Sequence, residues 1–217
     1  MDKFVTFENL KNVSLKPGYI YKGGKQGNIS DDPFNALLNV GNAAGMRPKK
    51  NINGNLAYIV LITNPSNHEE YPDKLNKDLN ILTYFGDQRI PERDYLDTKQ
   101  KGNFNIEKLF HEVFSKNCNN ANLFPCFYFE KNGDTGRDYT FHGIVYPLTK
   151  NQKLNEVCEK VIIPSDKGII ENLKFLFALD TASEISRDWL TDLLLDNKNS
   201  SNAPASWKEF IQNLNSK

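Results

Sequence analysis

The stretch LFPCFYFEKNGDTGRDYTFHGIVYP, residues 123–147, decides how the rest of the chain is read. Two aromatic-rich apolar runs flank KNGDTG, whose Asn-Gly and Thr-Gly pairs favour a reversal of the chain. That pattern predicts a β-hairpin. Upstream, LAYIVLIT (56–63) is a continuous apolar run, β-branched in its second half, and predicts a buried strand. NILTYF (80–85) predicts another. Between these strands and the hairpin, NIEKLFHEVFSKN (105–117) places Ile106, Leu109, Phe110, Val113 and Phe114 on one side of a helix. Asn105 reads as its cap and His111 as a surface residue. Downstream, EKVIIP (159–164) reads as one more short strand.

After Pro164 the pattern changes to helices. SRDWLTDLLLD carries Trp189, Leu190, Leu193 and Leu194 on one side, with Ser186 as cap. SWKEFIQNL follows Pro204 and carries Trp207, Phe210, Ile211 and Leu214 at helical spacing. Residues 19–50 read instead as loops and turns, rich in Gly and Asn. One short helix there is capped by Asp32, with Pro33 first and Phe34, Leu37 and Leu38 on one face. The expectation is an α+β fold: a twisted, curved sheet or open barrel with flanking helices over residues 1–165, and a C-terminal helical extension over 166–217.

At 217 residues and 39% hydrophobic, the chain can build one domain with a real core. Its formal net charge is zero, so no global field points to nucleic acid. The charge is uneven, however: residues 1–50 carry eight Lys/Arg against four Asp/Glu, and residues 171–196 carry two against six. Cys118, Cys126 and Cys158 are odd in number with no C-x-x-C spacing. They point to a reducing, cytoplasmic setting rather than a disulfide framework or zinc site. No apolar run resembles a signal peptide or membrane span, so no membrane partner is expected.

Phosphate-loop, nucleophile-elbow and dinucleotide-loop patterns are absent, and His68, His111 and His142 are scattered. No cofactor is expected. Asp73, Asp97 and Lys99 have the order of a Mg²⁺-dependent nuclease site, giving one alternative reading as a small nuclease. A protein-interaction domain using the acidic tail is another.

Four segments in order carry a resemblance. They are YIYKGGKQGNISDDPFNALLNVGNAAGMR, EEYPDKLNKDLNILTYFGDQR, YLDTKQKGN and ASEISRDWLTDLLLDNKNSSNAPASWKEFI, which holds the two tail helices and the Asn- and Ser-rich link between them. Together they resemble the N-terminal domain of AspBHI-type, modification-dependent restriction endonucleases, an SRA-like fold also found in MspJI. The resemblance implies a module that binds double-stranded DNA, flips out a modified cytosine (5-methyl or 5-hydroxymethyl), and serves a fused or partner nuclease in a restriction system. It is a binding domain, with no catalytic residues of its own.

Asp87 in NILTYFGDQR then has two readings: a turn former, or the acceptor for a cytosine amino group. The implied base pocket adds Tyr84 as a wall, Tyr71 (where the family usually has Trp) as the stacking ring, Tyr95 as a second wall and Glu70 as a polar group. Gln88 departs from the usual Asn of the family's GDN pattern. The expected phosphate contacts are Lys22, Lys25, Arg47, Lys49, Lys50, Arg89, Lys99 and Lys101, with Asn28 probing a groove. Gly23, Gly24 and Gly27 are expected to bring backbone N–H groups to the phosphates.

Overall fold

The computed structural model describes residues 3–42, 44–66 and 71–216. The 123–147 stretch forms the hairpin expected of it, β7 (Cys126–Lys131) and β8 (Tyr139–Pro147). It lies at the middle of one ten-stranded sheet. The other strands are β1 (Phe4–Val5), β2 (Ile20–Tyr21), β3 (Met46–Lys50), β4 (Leu56–Thr63), β5 (Lys74–Asn76), β6 (Ile81–Phe85), β9 (Cys158–Ser165) and β10 (Gly168–Asp180). The main path runs β3-β4-β7-β8-β10-β6-β5. Additionally, β9 pairs with β10, and β2 joins β1 to β8. The β4–β7 and β1–β2 pairs are parallel and the rest antiparallel. The sheet is mixed and open, with helices flanking it, and does not close into a barrel.

Apolar side chains explain the helix positions. In α1 (Pro33–Leu38) Asp32 accepts from the Phe34 N–H, Pro33 opens the helix, and Phe34 packs edge-on to Phe129 at 4.9 Å. In α2 (Gly102–Phe114) Ile106, Leu109, Phe110 and Val113 are buried, and Phe110 meets Phe175 and Phe177 of β10. The helix starts earlier than its Asn105 signal suggested. Lys101 takes the preceding left-handed position, and Gly102 and Asn103 form a buried first turn. His111 is exposed, as expected. A four-residue turn of helix, α3 (Leu154–Val157), precedes β9.

Two corrections concern strands. Residues 46–50 are not loop but β3, an edge strand in which Pro48 is tolerated because one side of its backbone needs no partner. Residues after Pro164 do not turn helical at once. β10 runs through the sheet and pairs with β9, β6 and β8. Leu173, Phe175, Phe177 and Leu179 alternate inward along it. The helices begin only at α4 (Arg187–Leu194) and α5 (Ala205–Asn215). There Ser186 caps α4, and Trp189 packs between Phe127 and Trp207. No helix among the described residues is long and apolar enough to cross a membrane.

Candidate functional site

β6 ends at Phe85, and the chain must then turn away from β10. The turn is held from behind by two asparagines that solvent does not reach, Asn103 and Asn172. The Asn103 amide donates to Asn172 Oδ1 (2.9 Å) and to the Tyr95 carbonyl (2.7 Å). Asn172 donates to the Gly86 carbonyl (2.8 Å). The Asp87 N–H donates to Asn103 Oδ1 (2.9 Å). Residue 86 must be glycine: a Cβ there would lie 2.2 Å from Asn103 Oδ1 and 2.3 Å from Asn172 Oδ1. Gln88 closes the far side. Its buried amide donates to the Asp94 and Asp97 carbonyls, and its Oε1 accepts from the Arg89 and Ile90 N–H groups. Backbone and asparagine groups therefore make the turn.

The Asp87 side chain lines a cavity of about 400 Å³ with Tyr84, Phe85, Thr63, Asp73, Arg89 and Lys99. Cavities of roughly 300–1,000 Å³ are the size that small ligands fill. Oδ1 of Asp87 is buried and has no hydrogen-bond partner among the described residues. Burial pushes the carboxyl above the usual carboxylate range, against the pull of the nearby Arg89 guanidinium. The Tyr84 ring is buried, and its hydroxyl, within reach of the Gly45 and Ile62 carbonyls, is pushed well up by burial. Asp73, in contrast, is a braced wall: Thr63 Oγ1 donates to its Oδ2 (2.8 Å) and the Phe85 N–H to its Oδ1 (2.7 Å).

The matching family model is that of the restriction endonuclease AspBHI N-terminal domain, over residues 15–217. The chain belongs to this family. Its fold resembles the DNA recognition domain of the cytosine modification-dependent restriction endonuclease LpnPI. There the identity is 25%, the match covers 100% of this chain and 94% of that one, and the TM-score is 0.86. It also resembles the DNA modification-dependent restriction endonuclease AspBHI (25% identity, 96% of this chain, 53% of that one, TM-score 0.83). The MspJI restriction endonuclease in complex with a 27-mer oligonucleotide shares the fold (18% identity, 79% and 42% coverage, TM-score 0.58). The chain thus spans about the whole of the LpnPI domain and about half of AspBHI. No curated protein sequence matches it.

In this AspBHI-family domain the expected pocket residues separate. Asp87 and Tyr84 share the cavity. Tyr71 lies next door, in a smaller apolar hollow of about 200 Å³ with Ile163 and Ile170, where it meets the Phe85 ring at 5.8 Å. Tyr95 does not line the cavity. Its ring stacks under the Lys160 ammonium, and its contribution is the carbonyl that holds Asn103. Glu70 and His68 lie outside the described residues.

The phosphate candidates separate as well. Arg47 is buried: it pairs with Asp32 at 2.9 Å, donates to the Ala44 and Gly41 carbonyls, and lies over the Phe34 ring. It is a structural residue. Lys22 pairs with Asp138 at 2.8 Å. The Gly23–Asn28 loop turns its N–H groups inward, with Gln26, Gly27 and Asn28 donating to the Asp31 carboxylate and Gly23 to Asp138. Those N–H bonds hold the Asp31 carboxyl below its usual range. A Cβ at Gly24 would lie 2.3 Å from Asp31 Oδ1, so the turn itself accounts for glycine there. Asn28 spends its side-chain oxygen capping the following turn. Lys25 is exposed and Lys49 half-buried on β3. Arg89 donates to the Gly86 carbonyl at the cavity mouth. Lys50, Lys99 and Lys101 line a second groove.

Sequence reasoning missed Asn103 and Asn172. A buried asparagine pair has no spacing signature, since residues 103 and 172 meet only through α2 and β10. The nuclease arrangement does not assemble: Asp73 and Lys99 line the cavity, but Asp97 is exposed and turned to Arg93.

Proposed function

We propose that this domain binds duplex DNA and reads a modified cytosine that has left the base stack. The base enters the 400 Å³ cavity and its N4 amino group donates to Asp87. The single observation behind this reading is a buried Asp87 carboxyl, its Oδ1 without a partner among the described residues, at the wall of a cavity that Tyr84 and Phe85 also line. Leaving such an oxygen unsatisfied costs about 1–3 kcal/mol or more, and a donor on the ligand removes that cost. Tyr84 and Phe85 supply the apolar walls that replace lost stacking. LpnPI and AspBHI, cytosine- or DNA-modification-dependent enzymes by name, support the same direction. Cleavage belongs to a nuclease module outside this domain.

The test is a titration against matched duplexes that differ at one cytosine: plain, 5-methyl or 5-hydroxymethyl. A 2-aminopurine beside that cytosine reports unstacking. Preference for a modified duplex together with a fluorescence rise is the expected result. Equal affinity for all three duplexes overturns the reading.

A further inference from the structure

Beside the base cavity lies a larger groove of about 640 Å³. It runs between the β3–β4 hairpin, the first half of α2 and the segment that leads into β7. Four lysines from three parts of the chain line it: Lys50, Lys99, Lys101 and Lys108. All four are exposed, none forms an ion pair among the described residues, and no acidic residue lines the groove. In a chain of zero net charge, four positive charges without a counter-charge in one concave surface are a local concentration of positive field. The groove also offers neutral amides, Asn55 and Asn105. Lys99 lines the groove and the base cavity alike, so the two are adjacent.

We propose that this groove holds the phosphodiester backbone of the strand that donates the flipped base, on one side of that base. The assignment rests on the base-reading function of the neighbouring cavity. Lysines suit the role as mobile point charges on a repeating anion, and they add affinity without reading sequence. The adjacency at Lys99 favours a strand that passes from cavity to groove over an acidic peptide, which would need no neighbouring base site.

The experiment replaces Lys50, Lys101 and Lys108 together with Gln and leaves Lys99, which also faces the cavity, unchanged. Affinity for modified and plain duplexes is measured by fluorescence anisotropy across a salt series. The slope of log affinity against log salt should become shallower by up to about 2.7, at roughly 0.9 per phosphate lost. Both duplexes should weaken by the same factor, so that preference is kept. A matched control, Lys116, Lys150 and Lys153 to Gln, should leave the slope near the parent value. An unchanged slope in the groove variant overturns the proposal, and so does an equal loss in the control; the first is also the outcome if an acidic peptide is the true occupant. Asp87→Asn, run in parallel, separates this proposal from the base reading, because it should remove preference at an unchanged slope. Thermal unfolding of each variant confirms that the fold is intact.

Discussion

At the scale of the residue, the proposed role of Asp87 sets function against stability. Its carboxyl is raised above 3.8, the ordinary value, chiefly by burial. A carboxyl that holds its proton more tightly when folded makes the folded state lose stability as pH rises from that ordinary value through the raised one. At neutral pH the buried charge is therefore a cost. Asp87→Asn should raise the melting temperature at pH 7, and the gain should vanish near pH 3, where both residues are neutral. The same variant should bind modified and plain duplexes alike, since an amide can turn its NH₂ toward the cytosine amino group. A melting temperature that falls at pH 7 would mean that Asp87 is a structural residue after all. Arg47 gives the opposite expectation. Arg47→Ala strands Asp32 in the interior, at a cost of about 3–5 kcal/mol, while the salt dependence of DNA binding stays unchanged. Chemical denaturation and the salt series measure the two halves separately. From sequence, Arg47 was indistinguishable from a phosphate ligand: a basic residue beside glycines looks the same whether its partner is DNA or a distant aspartate.

At the scale of the element, the proposed base cavity depends on where β6 stops. Gly86 lets the two buried asparagines reach the turn, and they fix the Asp87 backbone. Gly86→Ala should cost about 1–3 kcal/mol through overpacking and should lower the preference for modified DNA more than it lowers affinity for plain DNA. If melting falls but preference survives, the asparagine pair supports the sheet and not the site. Apolar pattern made α1, α2, β4, β6 and the β7–β8 hairpin legible: in α1, α2 and β6 the buried positions repeat at the spacing of the element, and β4 and β7 are continuous apolar runs buried along most of their length. It failed for β10 because Leu176 and Ala178, between the inward residues, are apolar and partly covered too, which blurs the alternation. It failed for β3 because MRPKK has no apolar repeat, and only pairing with β4 makes it a strand. The resemblance named Asp87 and Tyr84, and the two line one cavity. Asn103 and Asn172 were not legible, since their meaning arises only when α2 and β10 meet.

At the scale of the whole molecule, the fold redistributes what the sequence spaces apart. The basic N-terminal stretch does not act as one unit: Lys22 and Arg47 spend their charge on Asp138 and Asp32. Lys50 from its end instead joins Lys99, Lys101 and Lys108 along one groove. The tail is likewise no appendage in packing terms. Trp189 and Trp207 are fully buried, their indole N–H groups donate to the Lys198 carbonyl and to Asn199, and Trp189 meets Phe127 of the central hairpin. Arg187 reaches the carbonyls of Leu10, Lys11 and Leu37, tying α4 to the first forty residues. Losing one large buried aromatic costs about 3–5 kcal/mol, and a whole domain is stable by only about 5–15 kcal/mol. A chain ending at residue 186 therefore loses two such residues and exposes the Phe127 face. It should show no cooperative thermal transition and a collapsed near-ultraviolet circular dichroism signal, and it should lose preference for modified DNA although Asp87 and the groove lysines are all present. A shortened chain that melts cooperatively within a few degrees of the parent would instead make residues 187–217 a detachable extension, and the base-reading unit would then end with β10.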